Sequence, residues 1–278
     1  MQPLIDHVNR LFRYHYIPHQ HLSIDESLIG IKNHTQLLQY LPNKQHHRWG
    51  IKLWMLCDSV SHYCLAFSVY RGAKTDEDKA QIQQHGLAYT VVMKLLEMGD
   101  YLSKGYHIFM DNFFTSIPLA KKLYEMGTLI TGTIRRNRKF LPAIFKGKFG
   151  IGDKKYCRKG PILALAVREK KSQRGPVLLL STHCKAEEKQ ILRTRRRQEN
   201  QETRPAIIHD YNSYMGGIDT ADMMLYTYLD ERRTVRYWKK VSFNIFSRMI
   251  LNSYLLYKEN IHPTNKPMSR LNFTVHVI

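Results

Sequence analysis

Along the first half of this chain, short apolar runs of strand length alternate with segments of helical periodicity, an order that fits a mixed α/β sheet flanked by helices. Residues 21–31 read as a strand in which Leu22, Ile24, Leu28, Ile29 and Ile31 bracket the acidic pair Asp25 and Glu26. Residues 51–57 and 63–70 are two further apolar strands joined by a turn, an antiparallel hairpin that completes a three-strand meander. The period then changes. Leu87, Val91, Val92, Leu95, Leu96 and Met98 repeat at helical spacing, and Gly99 stops the run. Residues 106–110 form a short strand ending at Asp111, Ser116 caps a helix over 117–126 with Pro118 in its first turn, and 128–134 is β-rich again.

The second half divides differently. Residues 135–204 are dense in Arg and Lys, with short apolar runs at 162–167 and 177–180, which predicts a β-rich basic insertion domain. Its last stretch, 187–204, is polar and reads as a mobile loop. Helical patterns return over 219–229 and 237–257, the latter with Val241, Ile245, Phe246, Met249, Ile250, Leu251, Tyr254 and Leu255 on its buried side. No element is expected after Pro263. The expected organisation is a lead-in over 1–20, a discontinuous core over 21–134 and 205–261, the insertion over 135–204, and a tail over 262–278.

A hydrophobic content of 43% supports a packed core. Against 23 acidic residues stand 43 Lys and Arg, a formal net charge of +20. An excess of that size points to a polyanionic partner, above all nucleic acid, because neutralising phosphates releases counterions. An anionic membrane is the competing partner, but no amphipathic anchor and no apolar stretch of spanning length is present, so no membrane is expected. Cys57, Cys64, Cys157 and Cys184 include no C-x-x-C pair and read as reduced thiols, not a zinc site.

The candidate chemistry lies in acids. Asp25 sits within the first strand, Asp111 follows the fourth, and Asp219 follows Gly216-Gly217-Ile218 at a helix start, with Asp222 on the same face three residues on. Phosphoryl transfer on DNA needs an activated nucleophile and a neutralised leaving oxygen, which two divalent ions about 3.5–4 Å apart supply. Carboxylates are the oxygen ligands such ions take. Each acid also has a local reading: Asp25 as a strand or turn residue, Asp111-Asn112 as a turn former, and Asp219 with Asp222 as a helix cap. Asp58 also follows an apolar strand and is assigned to the hairpin turn. The order of the three acids, on the first strand, after the fourth and on a helix beyond an insertion, is that of a ribonuclease H-like fold.

The text around these acids resembles the piggyBac-type transposases. The matching blocks are His21-Leu22-Ser23-Ile24-Asp25-Glu26, Tyr40-Leu41-Pro42-Asn43-Lys44, Trp49-Gly50-Ile51-Lys52-Leu53 running to Cys57-Asp58-Ser59, the segment from Met110-Asp111-Asn112-Phe113-Phe114 to Ala120, and Tyr211-Asn212 with Met215-Gly216-Gly217-Ile218-Asp219-Thr220-Ala221-Asp222. The likeness covers nearly the whole chain and is weakest over 140–205. It implies a ribonuclease H-like core that performs cut-and-paste DNA transposition. Asp25, Asp111 and Asp219 would be the catalytic triad and Asp222 an additional metal-site acid, around two Mg2+ ions for which Mn2+ can substitute. The implied partners are double-stranded DNA, namely terminal inverted repeats and a TTAA target, and a second copy of the chain, acting in the nucleus. The implied DNA contacts are Arg135, Arg136, Arg138 and Lys139 in the insertion, and Arg232, Arg233, Arg236, Trp238 and Lys239 at the start of the last long helix. Trp238 is open to two readings, a stacking platform for a displaced base or a core anchor.

The resemblance also implies segments not found here. Only about two dozen residues precede Asp25, where the family carries an N-terminal dimerisation and DNA-binding region, and no cysteine-rich zinc-binding region follows. The expectation is a chain truncated at both ends. The alternative to an active core is then a catalytically inactive or domesticated DNA-binding remnant, and a ribonuclease H-like RNA nuclease is the third reading.

Overall fold

The computed structural model describes the chain except for residues 33–34, 43–46, 73–75, 196–197, 230–233, 235, 263 and 278. In chain order the elements are α1 (Gln2–His15), β1 (His21–Gly30), β2 (Leu38–Tyr40), β3 (Trp49–Asp58), β4 (Cys64–Val69), α2 (Asp76–His85), α3 (Leu87–Gly99), β5 (His107–Met110), α4 (Ile117–Glu125), β6 (Leu129–Thr133), β7 (Lys154–Lys159), β8 (Ile162–Val167), β9 (Val177–Ser181), β10 (Glu188–Arg195), β11 (Gln198–Pro205), α5 (Ala206–Tyr214), α6 (Gly217–Thr227), α7 (Tyr237–Asn260) and α8 (Arg270–Val277).

The central strands run β4-β3-β1-β5-β6. β1 pairs antiparallel with β3, and β3 with β4, whereas β5 joins β1 and β6 joins β5 in parallel. This is the mixed sheet anticipated from the sequence. A parallel partner needs a long crossover. The stretch between β4 and β5 provides one with α2 and α3, and α4 provides the other. Local chemistry fixes the turns between these elements. Ser116 accepts a hydrogen bond from the Leu119 amide at 3.4 Å to start α4, and Asp100 takes a left-handed conformation to end α3. The outer edge strand β4 is covered by two asparagines: Asn9 on α1 pairs with both backbone groups of Phe67, and Asn252 on α7 with both of Cys64, all at 2.9–3.0 Å. Such cover removes an edge that would otherwise recruit another strand.

Residues 135–204 are β-rich, but three of their strands are not a separate sheet. β9 pairs antiparallel with β6, and β8 and β7 continue outward from it. The largest departure from expectation is at 187–204. In place of a loop, β10 and β11 form a two-stranded antiparallel hairpin whose register pairs Glu188 with Pro205 and Arg195 with Gln198. A polar ribbon paired only with itself carries no hydrophobic alternation, so the sequence gives it no strand signature. β2, α2 and the terminal α8 are likewise additions.

On α7 the burial stripe differs from the apolar one expected. Phe246 is 47% exposed, while Asn244, Arg248 and Asn252, spaced four apart, are buried beside Val241, Ile245, Leu251 and Leu255. The four cysteines are all free thiols, three of them buried. Among the described residues no helix is long and apolar enough to cross a membrane.

Candidate active site at the strand ends

Sheet register brings two of the candidate acids together. β1 and β5 run parallel with Ile24 beside Met110 on strands about 4.8 Å apart, so Asp25, the next residue of β1, lies beside the point where the chain leaves β5 at Asp111. β5 and β6 run parallel with Met110 beside Gly132, which puts Thr133 next to Asp111. Because register partners on neighbouring strands share a face, Asp25, Asp111 and Thr133 form one row on one side of the sheet. Gly132 has no room for a Cβ, which would strike the Thr115 hydroxyl and the Met110 carbonyl, so the turn after Asp111 packs directly on β6.

Two helices cover that row. α5 is held by Tyr214, whose ring stacks on His21 of β1 at 3.9 Å and meets Phe109 of β5 at 5.1 Å. One turn earlier on α5 is Tyr211, whose phenol lies 3.4 Å from the Thr133 hydroxyl. α6 begins at Gly217, where a Cβ would collide with the Ser23 hydroxyl of β1. Only glycine allows that approach, which carries Asp219, in the first turn of α6, toward β1.

The electrostatics tie the acids to one point. Burial pushes the Tyr211 phenol upward, the Thr133 hydrogen bond lowers it, and the charges of Asp111, Asp25 and Asp219 each push it up again. One hydroxyl therefore senses all three carboxylates. Asp111 is itself raised above the ordinary aspartate range. Burial is the main cause, and the nearby Glu26 charge adds to it, while the amides of Phe113 and Phe114 and the Arg135 guanidinium draw it back. The Phe113 amide donates to Asp111 Oδ1 at 2.8 Å, and the Glu26 amide donates to Asp25 Oδ1 at 2.8 Å.

Asp222 is 7% exposed and faces inward, where its Oδ1 accepts from Arg248 Nη2 of α7 and from the Ser27 hydroxyl of β1, both at 2.9 Å. Arg248 Nη2 also donates to the Ser27 hydroxyl at 2.8 Å and Nε to Asn244 Oδ1 at 2.9 Å. The charge of Asp222 is matched by a resident cation, and the physical role of the group is to join α6, α7 and β1. Asp58 is also buried: both its oxygens are occupied, by the Val60 and Ser61 amides and by the His19 amide and ring, which makes it the turn residue anticipated.

The donor set of Asp25, Asp111 and Asp219 suits a hard divalent cation, which takes oxygen ligands. The rise at Asp111 comes mainly from its burial, with the Glu26 charge adding to it, and a cation placed beside it would favour its ionised form. Among the described residues no three His, Cys, Asp or Glu side chains already stand close enough together to hold an ion.

The basic residues expected at DNA fall into two groups. Arg135, Arg136 and Arg138 spend donors inside the protein. Arg135 Nε donates to Asn112 Oδ1 at 2.9 Å, Arg138 Nη2 to the Phe113 carbonyl at 2.6 Å, and Arg136 to the carbonyls of Phe145, Lys146 and Gly147. Arg135 and Arg138 therefore clasp the loop that follows Asp111. Lys139, Arg236 and Lys239 are exposed, and Trp238 is 44% exposed with the Lys239 ammonium 5.7 Å from its ring, so Trp238 is not a core anchor. Arg232 and Arg233 lie outside the described residues. The residue that sequence reasoning passed over is Tyr211. It stood within a matching block, but nothing in its local pattern distinguishes a site phenol from a half-buried helix residue.

A profile of the family described as Transposase IS4 matches residues 1–254. Human piggyBac transposable element-derived protein 3 is 26% identical over 294 aligned residues, covering 100% of this chain and 46% of that protein. Human piggyBac transposable element-derived protein 2 is 24% identical, covering 93% and 44%. A cryo-EM structure of a piggyBac transposase synaptic complex with hairpin DNA superposes with a TM-score of 0.79 at 29% identity, covering 94% of this chain and 52% of that one. The chain thus spans about half the length of the relatives it matches. With that profile spanning most of its length and the acids held on a matching scaffold, the chain belongs to the Transposase IS4 family and is of the piggyBac type.

Proposed function

We propose that this chain is the catalytic core of a DNA transposase that cleaves and joins strands in cut-and-paste transposition, with Asp25, Asp111 and Asp219 as its metal-binding acids. The observation that carries the reading is that Asp25 on β1 stands beside Asp111, the residue directly after the parallel strand β5, with Asp219 on the covering helix and all three charges acting on one phenol. Two Mg2+ ions, replaceable by Mn2+, would when bound supply an activated hydroxyl and charge to neutralise the leaving oxygen. The protein's own part is positional. The amide of Phe113 orients Asp111, Arg138 fixes the loop carrying that amide, and the neutral Tyr211 phenol, paired with the Thr133 hydroxyl, lies within the electrostatic reach of all three carboxylates. Asp222 serves in this reading to hold α6, and hence Asp219, against β1.

The substrate is double-stranded DNA, as the net charge of +20 favours. In keeping with the likeness to piggyBac transposases, we assign it terminal inverted repeats and TTAA target sites, action as a homodimer and a nuclear location. The test is Mg2+-dependent cleavage of a labelled duplex joining an element end to TTAA, beside an Asp111→Ala control. Cleavage by the parent chain alone supports the proposal. Equal cleavage by the control overturns the assignment of Asp111, and binding without cleavage by either favours a DNA-binding remnant.

A further inference from the structure

Away from the acids, Cys57 near the end of β3 and Cys64 at the start of β4 are register partners. A bulge brings them together. Leu56 faces Ala66 and Cys57 faces Cys64, so Leu65 is an extra residue on β4, and unbroken alternation would set Leu65 opposite Cys57.

Hydrogen bonding shows how the pair is turned. Both backbone groups of Cys64 go to the Asn252 side chain, at 3.0 and 2.9 Å, and neither is spent on β3. Cys57 and Cys64 are therefore a non-hydrogen-bonded antiparallel pair, the kind whose Cα atoms lie about 4.5 Å apart and whose side chains are closest. Disulfides span Cα separations of roughly 4.4–6.8 Å, so the backbone already suits one. The thiols also meet, because the Cys57 side chain is hydrogen bonded to that of Cys64. The other two cysteines are placed differently: Cys157 on β7 faces Ala164, and the Cys184 thiol donates to Asp210.

The pair lies on the face that α6 covers. Cys57 is the register partner of Ser23, whose hydroxyl bounds the space at Gly217, and the Asp58 carbonyl and Ser59 Cα bound the same space at 3.3 Å. The charges of Asp222 and Arg248 also reach Cys57. We propose that Cys57 and Cys64 form a redox-active dithiol that closes reversibly to a disulfide and braces β4 against β3 beneath the start of α6.

The co-reactant is a small-molecule disulfide such as oxidised glutathione. The Cys64 thiolate attacks one glutathione sulfur, the glutathione S–S bond breaks, and one glutathione thiolate leaves. The Cys57 thiolate then attacks the Cys64 sulfur of the mixed disulfide and expels the second. The two protein sulfurs lose two electrons, the glutathione disulfide gains them, and the two thiol protons end on the two released glutathiones. Burial sets the pace. Cys57 and Cys64 are 0% and 3% exposed, and burial holds the Cys57 thiol well above its ordinary pKa, so the reactive thiolates form when this end of the hairpin opens. Cys64 is the entry point, since it begins an edge strand and follows a turn in which Val60 is 49% exposed.

The test incubates the full chain with oxidised glutathione and maps its unreduced peptides by mass spectrometry. Trypsin cleavage after Lys52 and Arg71 releases one peptide that holds both cysteines. The expected product is lighter by two hydrogens in that peptide, and its halves stay joined after further cleavage at Asp58. Titration in urea should find two of the four thiols remaining. The oxidised chain should melt roughly 4–10 °C above the reduced one, the scale of closing a loop of about eight residues in a chain of this size, and dithiothreitol should reverse the shift. Cys64→Ala should show neither the link nor the shift. The map of the parent needs no variant, so it decides the matter even where Cys64→Ala does not fold. Four remaining thiols, glutathione retained on Cys64, or disulfides only through Cys157 or Cys184 overturn the dithiol. A link between Cys57 and Cys64 that leaves the melting temperature unchanged overturns the brace.

Discussion

Arg248 on α7 holds the carboxylate of Asp222 on α6 at 2.9 Å, and both side chains are nearly sealed from solvent. The pair has structural consequences that separate it from the site above it. Removing one partner strands a buried charge, which typically costs about 3–5 kcal/mol, whereas replacing both by apolar residues is often tolerated. Arg248→Met alone should therefore destabilise the protein by roughly that amount in urea unfolding, and Asp222→Leu with Arg248→Met should recover most of it. Asp222→Asn should lower thermal stability more than it weakens Mn2+ binding, and Asp219→Asn should do the reverse. Equal loss of Mn2+ binding in the two would return Asp222 to the metal site.

Asp111 carries a proton more readily in the folded chain than in the unfolded one. With the folded pKa raised, the metal-free native state binds more protons than the unfolded state between the ordinary aspartate value and the raised one. The contribution of this group to stability therefore increases as pH falls through that window and is unfavourable above it. Asp111→Asn should accordingly raise the melting temperature of the metal-free protein at neutral pH by roughly 1–4 °C, the scale of a ~1 kcal/mol change in a chain of this size. The same change should abolish metal-dependent cleavage. In the parent, Mn2+ affinity should fall on acidification beginning above the usual aspartate range, since protons compete for the ligand.

Tyr211 remains a neutral phenol at physiological pH, because burial and three carboxylates oppose its ionisation. Tyr211→Phe removes only the hydroxyl, so the fold should persist by circular dichroism. Cleavage should drop by up to about ten-fold, the scale of losing one neutral hydrogen bond, here to the Thr133 hydroxyl. An unchanged rate would assign the phenol a packing role alone.

DNA affinity should decline steeply with salt, with log K linear in log salt concentration. Arg236→Ala and Lys239→Ala, both exposed at the start of α7, should each shallow that slope by about one without altering the preference among sequences. Anisotropy titrations from 50 to 200 mM salt are the measurement. A slope unchanged in both variants would place DNA elsewhere on the surface.

Much of the scaffold was legible because its signals are local. β1, β3, β4, β5 and β6 declare themselves as apolar runs, and α3, α4 and α7 as helical periods or caps, since period and turn chemistry depend on residues a few positions apart. The hairpin of β10 and β11 was illegible for the converse reason: its sequence is mostly polar with no apolar alternation, and their mutual pairing makes them strands. The polar ridge of Asn244, Arg248 and Asn252 escaped a reading that gave the buried face of α7 to apolar residues: Arg248 is received by Asp222 of α6 and Ser27 of β1, Asn252 by Cys64 of β4, and Asn244 accepts from Arg248 itself.

By itself the sequence determined the central strands and the helices α3, α4 and α7, the excess of positive charge, and the presence of acids beside strand ends and a helix start. Tertiary structure decided which acids meet. Parallel register sets Asp25 beside Asp111, the glycine contact at Gly217 brings α6 onto β1, and a guanidinium 26 residues away turns Asp222 inward. It also decided that Tyr211, unmarked in its own helix, stands among three carboxylates. The physical reason is the range of the forces: backbone propensity acts over a few residues, whereas burial, charge pairing and steric fit act between segments that the chain alone does not place together.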